Sequence, residues 1–89
     1  MRTLKEREAI ALIERHIEED PSRPGPADAR LIQYGVPVWT LIGSVQAVDG
    51  EAERVSHDYQ LPVEAVEAAI IYYLRHKAAI DARLAAKDS

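Results

Sequence analysis

Residues 36–48 read VPVWTLIGSVQAV and decide the fold, because they hold the clearest helical pattern in the chain. Pro37 suits the first turn of a helix, where its missing N–H costs no hydrogen bond. Apolar side chains then recur every three or four residues, which places them on one helix face. They are Val38, Leu41, Ile42, Val45 and Val48, followed by the helix stop Asp49-Gly50. The pattern predicts a helix with one buried face.

The next twenty residues, EAERVSHDYQLPVEAVEAAI, predict two helices joined by a tight turn. Ala52, Val55 and Tyr59 give a short amphipathic helix. Gln60-Leu61 forms the turn, and Pro62 begins the second helix. This succession is typical of a helix-turn-helix unit, the arrangement by which many small proteins read DNA.

The final helix is predicted to run from Pro62 to Ala86, which is about 35 Å at 1.5 Å per residue. We expect it to bury its large apolar side chains, Val66, Ile70, Tyr73, Leu74 and Leu84. A second, alanine-rich face repeats at alternating intervals of three and four, the spacing of a coiled-coil seam. This face supplies the expected dimer interface, which consists of Ala65, Ala68, Ile71, Tyr72 and Ala79. The alternative is an exposed face rich in alanine because alanine is the best helix former.

Two further segments precede this unit. Residues 1–20 predict an amphipathic helix that starts at a capping box of Thr3 and Glu6 and carries isoleucines 10, 13 and 17 on one face. Residues 21–35 predict a proline-rich connector and an extended arm. Within it, ARLIQYG at 29–35 is one short strand or an arm, and its backbone needs a pairing partner from another chain or from elsewhere in this one.

With a helix-turn-helix-like domain at 36–89, these segments predict a mainly α fold. The expected architecture is a small helical bundle with a helix-turn-helix-like core, one short strand or extended arm, and a long C-terminal helix. A chain of 89 residues suffices for one domain of modest stability.

The composition restricts the class of protein. Eleven bases against fifteen acids give a net charge of −4, the reverse of the balance in most nucleic-acid binders. The chain has no cysteine, and no stretch approaches the roughly twenty apolar residues of a membrane span. The sequence therefore predicts a cytoplasmic protein that needs neither disulfides nor a membrane.

Candidate catalytic and metal-binding residues are few. His16, His57 and His76 fall on three different predicted helices, and none has a second histidine or a cysteine at ligand spacing. Carboxylates such as Glu64 and Glu67 complement the dipole of a helix start and need no chemical role. We therefore expect no enzyme, no catalytic site, no bound metal and no cofactor.

DNA readout by the two-helix unit would use residues at the start of its second helix. Glu64 and Glu67 stand there, and they would repel the phosphates that line the groove. Arg54, Arg75 and Lys77 are the candidate phosphate contacts, and the alternative is that they are solvated surface charges. DNA binding is therefore disfavoured by charge.

The steps VPVW at 36–39 and DYQL at 58–61, with the alanine-rich final helix, resemble the family called domain of unknown function 433. The likeness runs from about Arg23 to Ala86. It implies a homeodomain-like helical domain, often encoded beside a PIN-domain-like ribonuclease and regarded as the antitoxin of a bacterial toxin–antitoxin pair. The chain departs from the family pattern before Val36, where ARLIQYG replaces a more glycine-rich and basic stretch.

The leading hypothesis is a dimeric, non-catalytic, antitoxin-like protein that binds such a ribonuclease. Its acidic first segment, Glu14, Glu18, Glu19 and Asp20, is the expected partner-binding surface, as a mimic of nucleic acid. The simpler interpretation of that segment is an ordinary solvated helix face. The competing hypothesis is a dimeric helix-turn-helix regulator that binds its own promoter.

Overall fold

The computed structural model describes residues 5–88, which fold into a small, mainly helical bundle with a two-stranded sheet, as the sequence predicts. The helices are α1 (Glu6–His16), α2 (Val38–Ala47), α3 (Ala52–Tyr59), α4 (Val63–Arg75) and α5 (Lys77–Asp88). The strands are β1 (Ile17–Glu18) and β2 (Arg30–Leu31), and a 3-10 turn spans Pro26–Asp28. Thr3 lies outside the described residues, so the capping box that involves it is not seen.

Helix α2 is the centre of the core, and its predicted buried face is confirmed. Val38, Leu41, Ile42 and Val45 are buried, and Val48 is partly buried against them. Pro37 lies directly before the first helical residue, with the extended backbone of an N-cap. Because α2 packs against α3, α4, α5 and the 3-10 turn, the pattern that decides the fold also organises it.

The helix-turn-helix-like core is formed by α3 and α4. Gln60 takes the left-handed conformation at φ 56°, which ends α3 and reverses the chain. Leu61 is buried, and its backbone N–H donates to the carbonyl of Ser56 at 2.9 Å. Pro62 then precedes α4 as its N-cap residue. Local turn chemistry therefore accounts for this unit.

The segment ARLIQYG contains a strand whose partner lies in the same chain. Arg30 and Leu31 pair antiparallel with Glu18 and Ile17. The backbone N–H of Ile32 donates to the carbonyl of His16 at 2.8 Å, which extends this pairing. Helix α1 therefore ends at His16 and not at residue 20 as predicted, and Ile17 lies in β1 instead of on the helix. An unpaired strand is thus removed as a reason for self-association.

The expectation of one continuous final helix is wrong, because the chain breaks at His76. Its backbone at φ −131° and ψ 37° separates α4 from α5. The break lets α5 pack against α2 and the 3-10 turn, so that Ile80 is fully buried. The Tyr73 hydroxyl donates to Asp81 Oδ1 at 2.8 Å and ties the two helices together. Burial of apolar surface, which a straight helix would leave in water, explains the break.

The expectation that the alanine face of α4 points outward is also wrong. Three residues of the predicted dimer interface are buried within the monomer, whereas Ile71 and Ala79 are partly buried. Ala65 and Ala68 are 1% and 0% exposed, and Tyr72 is 8% exposed. Helices α1, α2 and α3 all pack against α4. Small side chains allow helices to approach closely, so alanines serve the crowded side of α4. Leu74, which was expected in the core, is instead 61% exposed.

Replacing Ala68 with leucine tests this arrangement. We expect the free energy of unfolding to fall by about 1–3 kcal/mol, because extra methylenes have no room in a packed core. Urea denaturation monitored by circular dichroism measures the change. Ala78, on α5 and exposed, is the matched control, since leucine there is expected to change stability by less than about 0.5 kcal/mol. Equal effects at the two positions would contradict the buried placement of Ala68.

Candidate protein-interaction groove

A surface groove with a cavity volume of about 770 Å³ lies along the outer side of α4. Glu6 and Ala9 of α1 contribute to its lining, as do residues 50–54, where the α2–α3 connection ends and α3 begins. Helix α4 contributes the most, through Val63, Glu67, Ile70, Ile71, Leu74 and Arg75. We call this feature the α4 groove.

The apolar part of the α4 groove is a second helical stripe. Leu74 follows the buried Ala65 by nine residues, or two and a half helical turns, and therefore points the opposite way. Val63, Ile70 and Leu74 are separated by seven and four residues, so they share this outward side. Ile70 and Ile71 are partly buried, whereas Leu74 is exposed. Helix α4 is thus apolar on two opposite faces, of which one is covered by its own fold.

Acidic side chains surround this stripe. Glu6, Glu51, Glu53 and Glu67 line the groove together with two bases, Arg54 and Arg75. Arg75 donates to Glu6 Oε1 at 2.7 Å, so its charge is already neutralised within the chain. Negative charge therefore prevails around the groove, which favours a cationic ligand.

Glu67 is the most informative of these acids. It lies in the line of the apolar stripe between Val63 and Ile70, and its side chain is half-buried. Within residues 5–88 its carboxylate forms no hydrogen bond and no ion pair. Water solvates the carboxylate while the groove is open, but any molecule that covers it must offer a cation or a donor.

The predicted partner-binding acids are mostly engaged in local structure. Glu18 accepts from the Arg30 guanidinium at 2.9 Å across the strand pair. Glu19 accepts from the backbone N–H of Gly25 at 3.1 Å, and Asp20 from that of Ser22 at 2.9 Å. Glu14 is exposed on α1 and, among the described residues, has no such contact. Three of these four acids therefore hold the connector in place, and none lines the α4 groove.

The predicted nucleic-acid contacts do not form a common basic surface. Arg75 pairs with Glu6, and the Lys77 ammonium lies 3.9 Å from Asp81. Arg54 has no ion pair in the described part of the chain, but Glu51 and Glu53 line the same groove beside it. Glu64 is exposed at the start of α4, where a recognition helix would meet DNA. The charges nearest to a bound duplex would thus be acidic.

A second, smaller cavity of about 200 Å³ lies beside Trp39, with three arginines in its lining. Arg83 stacks over the Trp39 ring at 4.5 Å from the centroid and also lies 3.2 Å from Asp28. Arg30 pairs with Glu18, and Arg23 lies 3.9 Å from Asp28. Arg23 and Arg83 thus share the Asp28 carboxylate, and all three guanidinium groups already lie beside acidic side chains of the chain.

The described residues contain neither a metal-binding cluster nor a membrane-spanning helix. Across residues 5–88, no group of three or more His, Asp or Glu side chains is arranged to hold a metal ion. Nor does any helix in this range have the length and hydropathy to cross a membrane.

Comparisons with protein-family models, curated proteins and solved structures find nothing that matches the chain. The resemblance to the domain of unknown function 433 family accordingly stays a prediction.

The α4 groove was missed by sequence reasoning, although a signal for it exists. The sequence pattern places Leu74 in the core because it is large and apolar, and it places the alanines on an outer face. Ile70 lines the groove and also packs against the core, as predicted, so the core prediction fails at Leu74. Two apolar stripes on opposite sides of one helix indicate that one of them meets something outside the core. Only the packing of the other helices against α4 shows which of the two stripes is left uncovered.

Proposed function

We propose that this chain is a non-catalytic, antitoxin-like protein of the bacterial cytoplasm that binds a PIN-domain-like ribonuclease through the α4 groove. The observation that supports the proposal is the outward apolar stripe of α4 with its predominantly acidic surround. Contiguous apolar patches rimmed by polar residues are characteristic of protein-interaction sites, and here Leu74 is exposed while Ile70 and Ile71 are partly buried. The nature of the partner comes from the family resemblance alone.

The acidic surround suits such a partner on physical grounds. A ribonuclease binds a polyanion, so it presents cations near its substrate groove. Complementary potentials speed the association of two proteins and suppress wrong partners. Binding through the α4 groove would place its acidic side chains at the positions that RNA phosphates occupy in the substrate groove of the ribonuclease. The complex would therefore exclude RNA.

Co-expression of the chain with the product of the adjacent gene tests the proposed function. We expect the two proteins to copurify at moderate salt, and the ribonuclease to be inhibited in the complex. The double variant Ile71→Ser/Leu74→Ser should lose copurification, because it removes two apolar anchors of the groove. Ile32→Ser is the matched control, since Ile32 is an exposed isoleucine that lines no part of the groove. Absence of copurification with the unaltered chain would contradict the proposed function.

The competing proposal, a regulator that binds its own promoter, is favoured by the succession of α3, a tight turn at Gln60–Leu61 and α4. The dependence of binding on salt concentration distinguishes the regulator from the ribonuclease-binding protein. Binding through phosphates weakens steeply between about 50 and 200 mM salt, whereas a contact with an apolar core responds little. Nanomolar binding of a promoter fragment by the chain alone at physiological salt would favour the regulator.

We expect the free chain to be a monomer, in contrast to the homodimer predicted from the sequence. Both grounds for that dimer are removed, because the alanine face is buried and the strand is paired within the chain. Light scattering at micromolar concentration should give the chain mass of 9.9 kDa, independent of dilution. A mass near twice that value would contradict this expectation.

A further inference from the structure

We propose that the α4 groove receives a single amphipathic helix of the partner, with apolar side chains at helical spacing and a lysine or arginine placed against Glu67. This inference rests on the proposed function for the existence of a protein partner. It goes further by stating which structure and which charge the partner presents.

The shape of the groove indicates a helix. The stripe extends from Val63 to Leu74, which corresponds to about 16 Å along the axis of α4, or three helical turns. A neighbouring helix of that length meets such a stripe with side chains at i, i+4, i+7 and i+11. The lining contributed by α1 and by residues 50–54 provides contacts beyond those of α4 itself.

A second copy of the chain fits this site less well. A two-fold dimer would place the same surface on both sides of the contact. Here that surface is recessed, because α1 and residues 50–54 line the groove beside α4. Two such grooves facing each other would leave a gap between the two copies, whereas a projecting helix of a partner would fill one groove.

The charge of Glu67 specifies the occupant further. A half-buried carboxylate with no partner is covered at a high cost unless a cation or a donor meets it. The apolar neighbours Val63 and Ile70 supply neither. A basic residue between the apolar anchors of the incoming helix would satisfy Glu67, and basic residues at its edges would meet Glu51 and Glu53.

The test uses two synthetic, helix-stabilised peptides of about 14 residues, a length that spans roughly 20 Å of helix. Both carry leucines at helical spacing and basic edges. One has a central lysine and the other has the neutral isostere norleucine at that position. Fluorescence anisotropy measures the affinity of each for the full chain and for the variants Glu67→Gln, Leu74→Ser and Glu14→Gln.

We expect Glu67→Gln to weaken binding of the lysine peptide about tenfold and of the norleucine peptide less than twofold. Leu74→Ser should weaken both peptides by about tenfold, because it removes an apolar contact that both use. Glu14→Gln is the matched control, since it removes an exposed carboxylate of α1 outside the groove and should change neither affinity appreciably. Circular dichroism and melting temperature establish that each variant folds.

Three results would overturn the proposal. The first is no binding of either peptide at concentrations up to about 100 μM. The second is an equal effect of Glu67→Gln on both peptides, which would show that the lysine does not meet Glu67. The third is a dimer in light scattering that Leu74→Ser dissociates, which would make a second copy the occupant. The peptide assays contain no ribonuclease, so they test the helix-binding groove independently of the proposed function. Failure of copurification would contradict the proposed function, and the peptide affinities would still show whether the groove binds a helix.

Discussion

Replacing Ile80 with alanine should lower the free energy of unfolding by about 2–5 kcal/mol, the usual range for a buried isoleucine. Ile80 is fully buried, and α5 brings it against α2 and the 3-10 turn. The substitution removes three carbons and leaves a cavity that the surrounding helices fill only in part. Denaturation by urea, followed by circular dichroism, measures the loss.

Leu74→Ala provides the control for Ile80→Ala, because it truncates a side chain of equal size six residues earlier. Leu74 is largely exposed, so we expect a loss of less than about 0.5 kcal/mol. The pair also tests the break at His76, since a continuous helix would carry Ile80 away from α2. A small effect of Ile80→Ala, equal to that of Leu74→Ala, would contradict the packing of α5.

Replacing Trp39 with alanine should cost about 3 kcal/mol, at the lower end of the range for large aromatic side chains. Its ring is partly buried, and it packs against the core at the start of α2. Arg83 of α5 covers the ring, which adds a cation–π contact of about 0.5–1 kcal/mol at a partly exposed site. The substitution therefore loosens the contact of α5 with the start of α2. Thermal unfolding measures the result.

Tyr34→Ala is the matched control for Trp39, because Tyr34 is an exposed aromatic residue outside the core cluster. We expect the melting temperature to change little for Tyr34→Ala and to fall clearly for Trp39→Ala. An unchanged melting temperature for Trp39→Ala would show that the ring does not stabilise the fold and would favour a ligand-stacking role.

The α4 groove and the stability of the chain are linked by the same helix. One face of α4 holds the bundle together through alanines, and the opposite face leaves Leu74 exposed and Ile71 partly exposed. A small domain gains little from such side chains until they are covered. If the groove binds a partner helix, that partner also stabilises the fold, since a ligand of the native state shifts the unfolding equilibrium.

The sequence alone determined the elements whose signals are local. The α2 stripe, the prolines before α2 and α4, and the turn at Gln60 are each encoded within a few residues. Periodicity and backbone conformation act over that range, so these predictions were confirmed. The family resemblance, the ribonuclease partner and the lack of catalysis stay predictions.

The tertiary structure alone decided features that depend on competition between distant segments. Helix α4 has two apolar faces, and packing chose the alanine face because α1, α2 and α3 must all approach it closely. No proline or glycine marks the break at His76, which arises because Ile80 gains burial against α2 when the chain turns. The strand Arg30–Leu31 pairs with Ile17–Glu18, and the sequence of one strand alone does not specify which segment pairs with it. In each case the deciding free energy lies in contacts between segments, which local patterns do not contain.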